Sequence, residues 1–454
     1  MNATLAGAWD DTVRAAPEAV AYIDAATGRR VTRRELSAAA ADWRAAHGRD
    51  LDGRTVLLCA PNGAGWLAAF LGLLQSGAVV APLDPGEPLA AQEATAKAIG
   101  AAWLWSGDAL RPVAGRLRRA RDARRLLKLT SGTTGVPRAL AFTDAEMLAD
   151  GRQVCAGMDL RAGDLNFGVI PFGHSYGLGN LVVPLLAQGT AVVGGVAVLP
   201  HALADAIARE RPTVFPAVPA LLRVLVAADI PRAHLASLRT VISAGAPLAP
   251  EIAEAFAVKF GPKVHSFYGS SETGGITYDR SGDLARTGGG VGTPLPGVGL
   301  AFGRGGRVTV TSPAVFTLGN PRRGGGGFGA HLTADLAQPG EGGSLILLGR
   351  AGRWAKIAGR RVNLAEVERA LRAVPGVRDA HVALHGGRAE ALAAAVVAAL
   401  PAEAVRSALA GRLAPWKLPK KVLCLPGFPL TARGKTDTAR LRTLLAGSGE
   451  NRGA

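Results

Sequence analysis

Four short segments carry the residues best suited to chemistry. Leu129-Thr130-Ser131-Gly132-Thr133-Thr134-Gly135-Val136-Pro137-Arg138 sets hydroxyls, two glycines and a fixed cation directly after a strand-like run. Gly132 and Gly135 allow a tight turn whose backbone N–H groups can converge on anionic oxygens. The hydroxyls add donors, and Arg138 adds a guanidinium suited to bidentate phosphate contacts. By itself the segment reads as phosphate-binding, against the plainer reading of a polar loop. It does not match the GxxxxGK[ST] loop of ordinary nucleoside triphosphatases. Pro171 to Gly177 sets His174 and Tyr176 among glycines. Phe267 to Gly274 ends an apolar run with Glu272 beside hydroxyls, a carboxylate able to hold Mg2+. Pro429 to Lys435 sets one lysine after a glycine. A lone His, Glu or Lys is as often structural or solvated, so each of these three can be read either way.

Such segments need a frame. Val56 to Cys59 is a buried-strand run, Pro61-Asn62-Gly63 a turn, Trp66 to Leu74 an apolar helix, and Ala78 to Val80 a second strand. Similar βαβ units recur to about Phe260, which implies a mostly parallel sheet covered by helices. A second unit starts near Gly349. Asn363 with Glu366 makes a capping box. Leu364, Val367, Leu371 and Val374 fall on one helical face, and Pro375-Gly376 ends that helix. Strands at Ala380 to Leu384 and Leu392 to Val397, then a helix from Glu403 to Leu413, complete a compact α+β unit. The expected fold class is therefore α/β. It has a large N-terminal domain of parallel-rich sheets covered by helices, residues 1–349, and a small C-terminal α+β domain, residues 350–454. The Gly-rich stretch Gly303 to Gly329 is read as a surface connection, with a mobile loop as the alternative.

The 454 residues are 48% hydrophobic and carry a net charge of +17. Such a surface suits anionic small molecules, acidic proteins, an anionic membrane or nucleic acid. No nucleic-acid recognition motif accompanies the charge, so nucleic acid is not expected as a partner. The stretch Arg116, Arg118, Arg119, Arg121, Arg124, Arg125 reads as a solvated face, with a docking surface for a phosphate-bearing cosubstrate as the alternative. Cys59, Cys155 and Cys424 have no metal spacing and read as free thiols in a reducing cytoplasm. The N-terminus lacks a signal pattern and no apolar run reaches membrane-span length, so a cytoplasmic protein is expected. The oligomeric state is left open.

In order and spacing, the four segments resemble the acyl-adenylate-forming superfamily of acyl-CoA synthetases, firefly luciferases and peptide-synthetase adenylation domains. The resemblance spans nearly the whole chain. It also takes in Leu73 to Pro85, Ser243 to Leu248, Val291 to Gly297, Thr333 to Asp335, Gly349-Arg350 and Lys356 to Glu368. It implies ATP-dependent activation of a carboxylic acid as its acyl-adenylate, then transfer to the thiol of CoA or of a carrier-protein phosphopantetheine. Residues 1–349 would be the AMP-binding adenylation core, and residues 350–454 a mobile domain joined by a hinge and carrying the catalytic lysine.

The resemblance also implies roles. Thr130, Ser131, Gly132, Thr133, Thr134, Gly135 and Arg138 would wrap the ATP β- and γ-phosphates. Gly245, Ala246 and Pro247 would line the adenine and Tyr268 would stack on it, with Gly269 and Ser271 completing the nucleotide site. Asp335 would accept from the ribose hydroxyls and Arg350 would support that ribose. Glu272 would ligate Mg2+, and Lys435 would bridge the acid carboxylate and the α-phosphate. After domain rotation, Lys356 to Gly359 would replace Lys435. His174, Tyr176 and Gly269 would shape the acid pocket.

The chain departs from the family pattern at several positions. Arg138 and Ala139 stand where Lys and Gly are usual, Ser271 where Thr is, and Ala334 where Gly is. Gly352-Arg353 replaces an acidic pair that includes the hinge. Arginine still binds phosphate, and glycine absorbs large backbone changes. The hinge is left between Gly352 and Arg353. Phe172-Gly173-His174 lacks the Asp that amino-acid-activating relatives carry nearby, and His174-Ser175-Tyr176 resembles the His-x-Tyr of aryl ligases. An aryl or short-to-medium acyl acid is therefore favoured. Two alternatives remain: a stand-alone enzyme loading a separate acyl carrier protein with a fatty acid, and a degenerate nucleotide-binding paralogue.

Overall fold

The computed structural model describes residues 4–113, 119–130, 138–320, 328–350, 354–357, 360–384, 391–410, 412–430 and 436–447. The chain forms two units. The first comprises Met1–Ala301, Thr309–Leu332 and Pro339–Ile346. The second comprises Phe302–Val308, Thr333–Gln338 and Leu347–Ala454.

The expected βαβ element is present. Strand Thr55–Leu58 leads through helix Ala64–Gln75 to strand Val79–Pro82, and Thr55 pairs in parallel with Val79. Every helix residue from Trp66 to Leu74 is buried, which is why its sequence shows no polar face. These strands lie in a six-stranded sheet ordered Leu110–Pro112, Trp103–Trp105, Thr55–Leu58, Val79–Pro82, Arg124–Thr130, Arg138–Thr143. Its interior pairs are parallel and both edge pairs are antiparallel.

The second large sheet has nine strands. Its parallel centre runs Val264–Ser270, Thr240–Ser243, Val214–Ala217, Leu165–Phe167, Ala191–Gly194, Val20–Asp24. Arg30–Thr32 closes one edge antiparallel to Val20–Asp24, and Gly274–Tyr278 with Thr293–Pro294 closes the other. Three helices against this sheet open with proline: Pro200–Glu210, Pro219–Ala227 and Pro250–Phe260. Proline suits the first helical turn, where its missing N–H has no intrahelical partner. Phe167, Phe215, Leu222, Phe256 and Ile207 are fully buried between these layers.

In the second unit, hairpin Trp354–Ile357/Arg360–Asn363 leads into helix Leu364–Arg372. Leu364, Val367, Leu371 and Val374 are all buried, as their spacing requires. Glu366, expected in a capping box, ion-pairs with Lys417 at 2.5 Å. Strands Val377–Leu384, Leu392–Ala398 and Lys421–Leu425 form the sheet; in the chain, helix Ala402–Ala410 comes between the second and third strands and helix Thr438–Gly447 after the third. The reading of Gly303 to Gly329 as a connection needs correcting. It holds the strand Arg307–Ser312, whose alternating burial places Val308 and Val310 inside. Flanking glycines hid this period-two signal. Among the described residues no helix is long and apolar enough to cross a membrane.

Candidate functional site

The stem of the hydroxyl-rich segment is an antiparallel strand pair. Thr130 faces Arg138 across Arg124–Thr130 and Arg138–Thr143, and the Thr130 hydroxyl donates to the Arg138 carbonyl at 3.3 Å. Arg138 is exposed at the end of this stem. Ser131, Gly132, Thr133, Thr134 and Gly135 lie outside the described residues.

Four neighbouring strands of the nine-stranded sheet run the same way, so their carboxyl ends share one edge. Open α/β sheets bind ligands along that edge. Leu165–Phe167 leads to the loop before His174. Val214–Ala217 leads to Val218, which caps the helix Pro219–Ala227. Thr240–Ser243 leads to Gly245, Ala246 and Pro247, all exposed, with Gly245 at φ +85°. Val264–Ser270 ends in Tyr268, Gly269 and Ser270 and turns at Ser271 and Glu272. At Gly269 the paired strands shift register, and a Cβ there would sit 2.6 Å from the Gly274 carbonyl. Only glycine tolerates that approach.

His174 caps the short helix Ser175–Gly177, its Nδ1 accepting from Tyr176 N–H at 3.3 Å. The helix widens to a π turn over Leu178–Val182 and continues as Val183–Gln188 to Gly189, at φ +79°. Asn62 organises the loop ahead of His174. Its amide accepts from Phe172 N–H at 2.8 Å and donates to Ile170 O at 2.8 Å and Gly168 O at 3.3 Å. Tyr176 is buried, its hydroxyl donates to Ala217 O at 3.4 Å, and burial holds its phenol well above the usual value. That side chain is part of the wall behind the site, packed near Phe267.

The Glu272 turn is tied down from several directions. Ser175 Oγ donates to Ser271 Oγ at 2.9 Å, joining the His174 helix to the turn. Ser270 and Thr273 hydroxyls meet at 3.0 Å, and Gly275 N–H donates to Asp150 Oδ1 at 2.9 Å. Asp150 in turn ion-pairs with Lys128, 3.5 Å away on the strand leading to Thr130. Glu146, at the start of helix Asp144–Gly157, closes a capping box with Thr143. Its other oxygen accepts from both Thr317 N–H (2.8 Å) and the Thr317 hydroxyl (2.6 Å).

In the second unit, Arg350 Nε donates to Asp335 Oδ1 at 2.9 Å. The buried Thr333 hydroxyl donates to the Asp335 carbonyl at 3.0 Å and fixes its backbone. Lys356 lies in strand Trp354–Ile357. Gly352, Arg353 and Lys435 lie outside the described residues.

No cluster of three or more His, Cys, Asp or Glu suited to a metal exists among the described residues. A single half-buried carboxylate, Glu272, fits Mg2+ well, because that ion commonly takes one or two carboxylates and otherwise phosphates and water. Lys128, Asp150, Asn62 and Glu146 were not among the expected site residues. Lys128 had a signal: a charge inside the apolar run Leu126-Leu127-Lys128-Leu129 demands a buried partner.

Known proteins resemble this chain in sequence and in fold. An indoleacetate–CoA ligase of Aromatoleum aromaticum is 30% identical over 347 residues, covering 71% of this chain and 67% of the relative. A benzoate–CoA ligase of Thauera aromatica is 28% identical over 69% of this chain and 64% of its own. The chain thus spans about two thirds of the length of these relatives. The ATP-bound structure of MatB from Rhodopseudomonas palustris shares the fold at a TM-score of 0.82 and 22% identity, over 98% of this chain and 99% of that one. The family model described as AMP-binding enzyme C-terminal domain matches residues 366–435. With the model described as AMP-binding enzyme matching residues 9–125 and 118–302, which hold the loop stem, the strand-end edge and the Glu272 turn, this chain belongs to the AMP-binding enzyme family.

Proposed function

We propose that the chain is an AMP-forming acid–thiol ligase that activates an aryl or short-to-medium acyl acid with ATP and transfers it to a thiol. The observation that carries the reading is the shared strand edge. It gathers the His174 loop, Gly245 to Pro247 and Tyr268 to Glu272, with the Thr130/Arg138 stem tied to the same turn through Asp150. Relatives named as indoleacetate– and benzoate–CoA ligases support the aryl preference and CoA as the thiol. A relative named as an L-proline–carrier-protein ligase, 29% identical, keeps a carrier pantetheine as the second acceptor to test.

In the first step a carboxylate oxygen attacks the α-phosphorus, the bond to the β-phosphate breaks and pyrophosphate leaves. In the second a thiolate attacks the acyl carbon and AMP leaves. The first step joins two anions, so the protein's task is to align and neutralise them. Arg138 meets phosphate oxygens as a fixed fork at the loop stem. Lys435 bridges the acid carboxylate and the α-phosphate. Glu272 would hold Mg2+, which would screen the phosphate charge. Asp335, steadied by Arg350 and Thr333, accepts from the ribose hydroxyls. His174 shapes the acid pocket.

Acid-dependent exchange of pyrophosphate into ATP, run over aryl, fatty and amino acids with Lys435→Ala as control, tests the reading. Exchange with aryl acids that the variant abolishes supports it. Nucleotide binding with no exchange for any acid would leave a nucleotide-binding paralogue in its place.

A further inference from the structure

We propose that Lys128 and Asp150 are a buried positioning pair that fixes the Glu272 turn relative to the strand entering the Thr130–Arg138 segment. The inference rests on the adenylation reading of this site.

Lys128 lies two residues before Thr130, so the two side chains share one face of the sheet, about 7 Å apart along the strand. The Lys128 side chain is 1% exposed. Its Nζ lies 3.5 Å from Asp150 Oδ2 and 4.3 Å from the centre of the Phe142 ring. The Asp150 side chain is 3% exposed, and its Oδ1 accepts from Gly275 N–H at 2.9 Å. Gly275 follows Glu272 by three residues. At Gly274, with φ +69°, a Cβ would overlap the Asp150 carboxylate. At Gly179, on the π turn, it would come within 3.1 Å of Asp150 Oδ2. Backbone from two separate elements therefore closes around one carboxylate.

Two apolar side chains would join the strand to the helix at least as well, since a buried ion pair seldom adds stability over a packed hydrophobic pair. Leu126, Leu127, Phe142 and Met147 are all buried nearby in sequence, so an apolar pair would suit the surroundings. An apolar pair cannot hold a backbone N–H. The Asp150 carboxylate holds it at 2.9 Å, and Lys128 ties that carboxylate to the strand that leads to the phosphates. The two segments that must meet one metal–nucleotide complex are thus referenced to a single group.

Two double variants test this, and neither leaves a lone buried charge. K128M/D150N keeps an oxygen for Gly275 N–H, and K128M/D150L removes it. Circular dichroism and thermal melts report folding. Mn2+ affinity is read by electron paramagnetic resonance with a non-cleavable ATP analogue, beside pyrophosphate exchange titrated with Mg2+. The expected result is Mn2+ affinity weakened about tenfold in K128M/D150L, metal-free analogue binding unchanged, and recovery in K128M/D150N; a tenfold change corresponds to about 1.4 kcal/mol. Should the leucine variant not fold, K128M/D150S, too short to reach Gly275, carries the same expectation. Mn2+ binding like that of the wild type in a folded K128M/D150L protein overturns the positioning role alone. A wild-type protein that binds no Mn2+ with the analogue overturns the adenylation reading, and this inference with it.

Discussion

Asn62 and Phe172 lie 110 residues apart in sequence and are joined by a 2.8 Å hydrogen bond from the Phe172 N–H to the Asn62 carboxamide. The same side chain donates to the carbonyls of Gly168 and Ile170, so one amide satisfies three backbone groups of the loop before His174. Asn62→Ala leaves those groups without partners, at a cost of about 1–3 kcal/mol. Urea unfolding should show that loss. The KM for the acid should rise while the KM for ATP stays unchanged, because the loop leads to the acid pocket.

Gly274→Ala should be more damaging than Gly28→Ala. Both glycines have positive φ, +69° and +72°. Around Gly28 nothing lies within 4 Å of the added carbon, so strain of about 1–2 kcal/mol is the whole effect. At Gly274 the methyl also collides with Asp150. Parallel thermal melts of the two variants check the order, and only Gly274→Ala should lower kcat for exchange.

Asp335→Asn should separate binding from stability. The Asp335–Arg350 pair is partly solvent-exposed, with Arg350 at 69%, and such pairs contribute only about 0–1 kcal/mol. The melting temperature should barely move. The KM for ATP should rise if the carboxylate receives the ribose hydroxyls, and an unchanged KM would remove that role.

His265 predicts a pH dependence of stability. Burial lowers its pKa below the ordinary value of about 6.5, and its Nδ1–H donates to the Asp279 carbonyl at 2.8 Å. Below that ordinary value the unfolded chain binds a proton that the folded chain refuses. Stability is therefore full above about 6.5 and falls as the pH drops toward the folded-state value. His265→Gln should flatten this part of the profile, measured as denaturation midpoint against pH.

The order of strands and helices was readable where period and punctuation agreed. Trp66 to Leu74 reads as a buried helix because apolar residues fill every turn, and Leu364, Val367, Leu371 and Val374 mark a face that the fold buries. The strand Arg307–Ser312 was missed because glycines on both sides suggested a loop. Glu272 is proposed from its setting among hydroxyls and from the ordered resemblance, and Asp335 from the resemblance alone, since a single acidic residue has no periodicity of its own. Asn62, Asp150 and Glu146 escaped because Phe172, Gly275 and Thr317, the backbone and side-chain groups they hold, lie more than a hundred residues away and only the tertiary fold supplies them. Tyr176 was expected at the acid pocket, but its hydroxyl is bound to Ala217 in the wall.

The pairing of Val20–Asp24 with Ala191–Gly194 also bears on shortening the chain for expression. Those first strands look dispensable in a linear map, since every candidate site residue comes later. In the sheet they cover the backbone of Val192 and Val193, both fully buried. A chain trimmed past Thr32 would bare an apolar, unpaired strand edge, which is a template for self-association. Such a truncation would be recovered as aggregate with its chemistry intact in sequence and lost in practice.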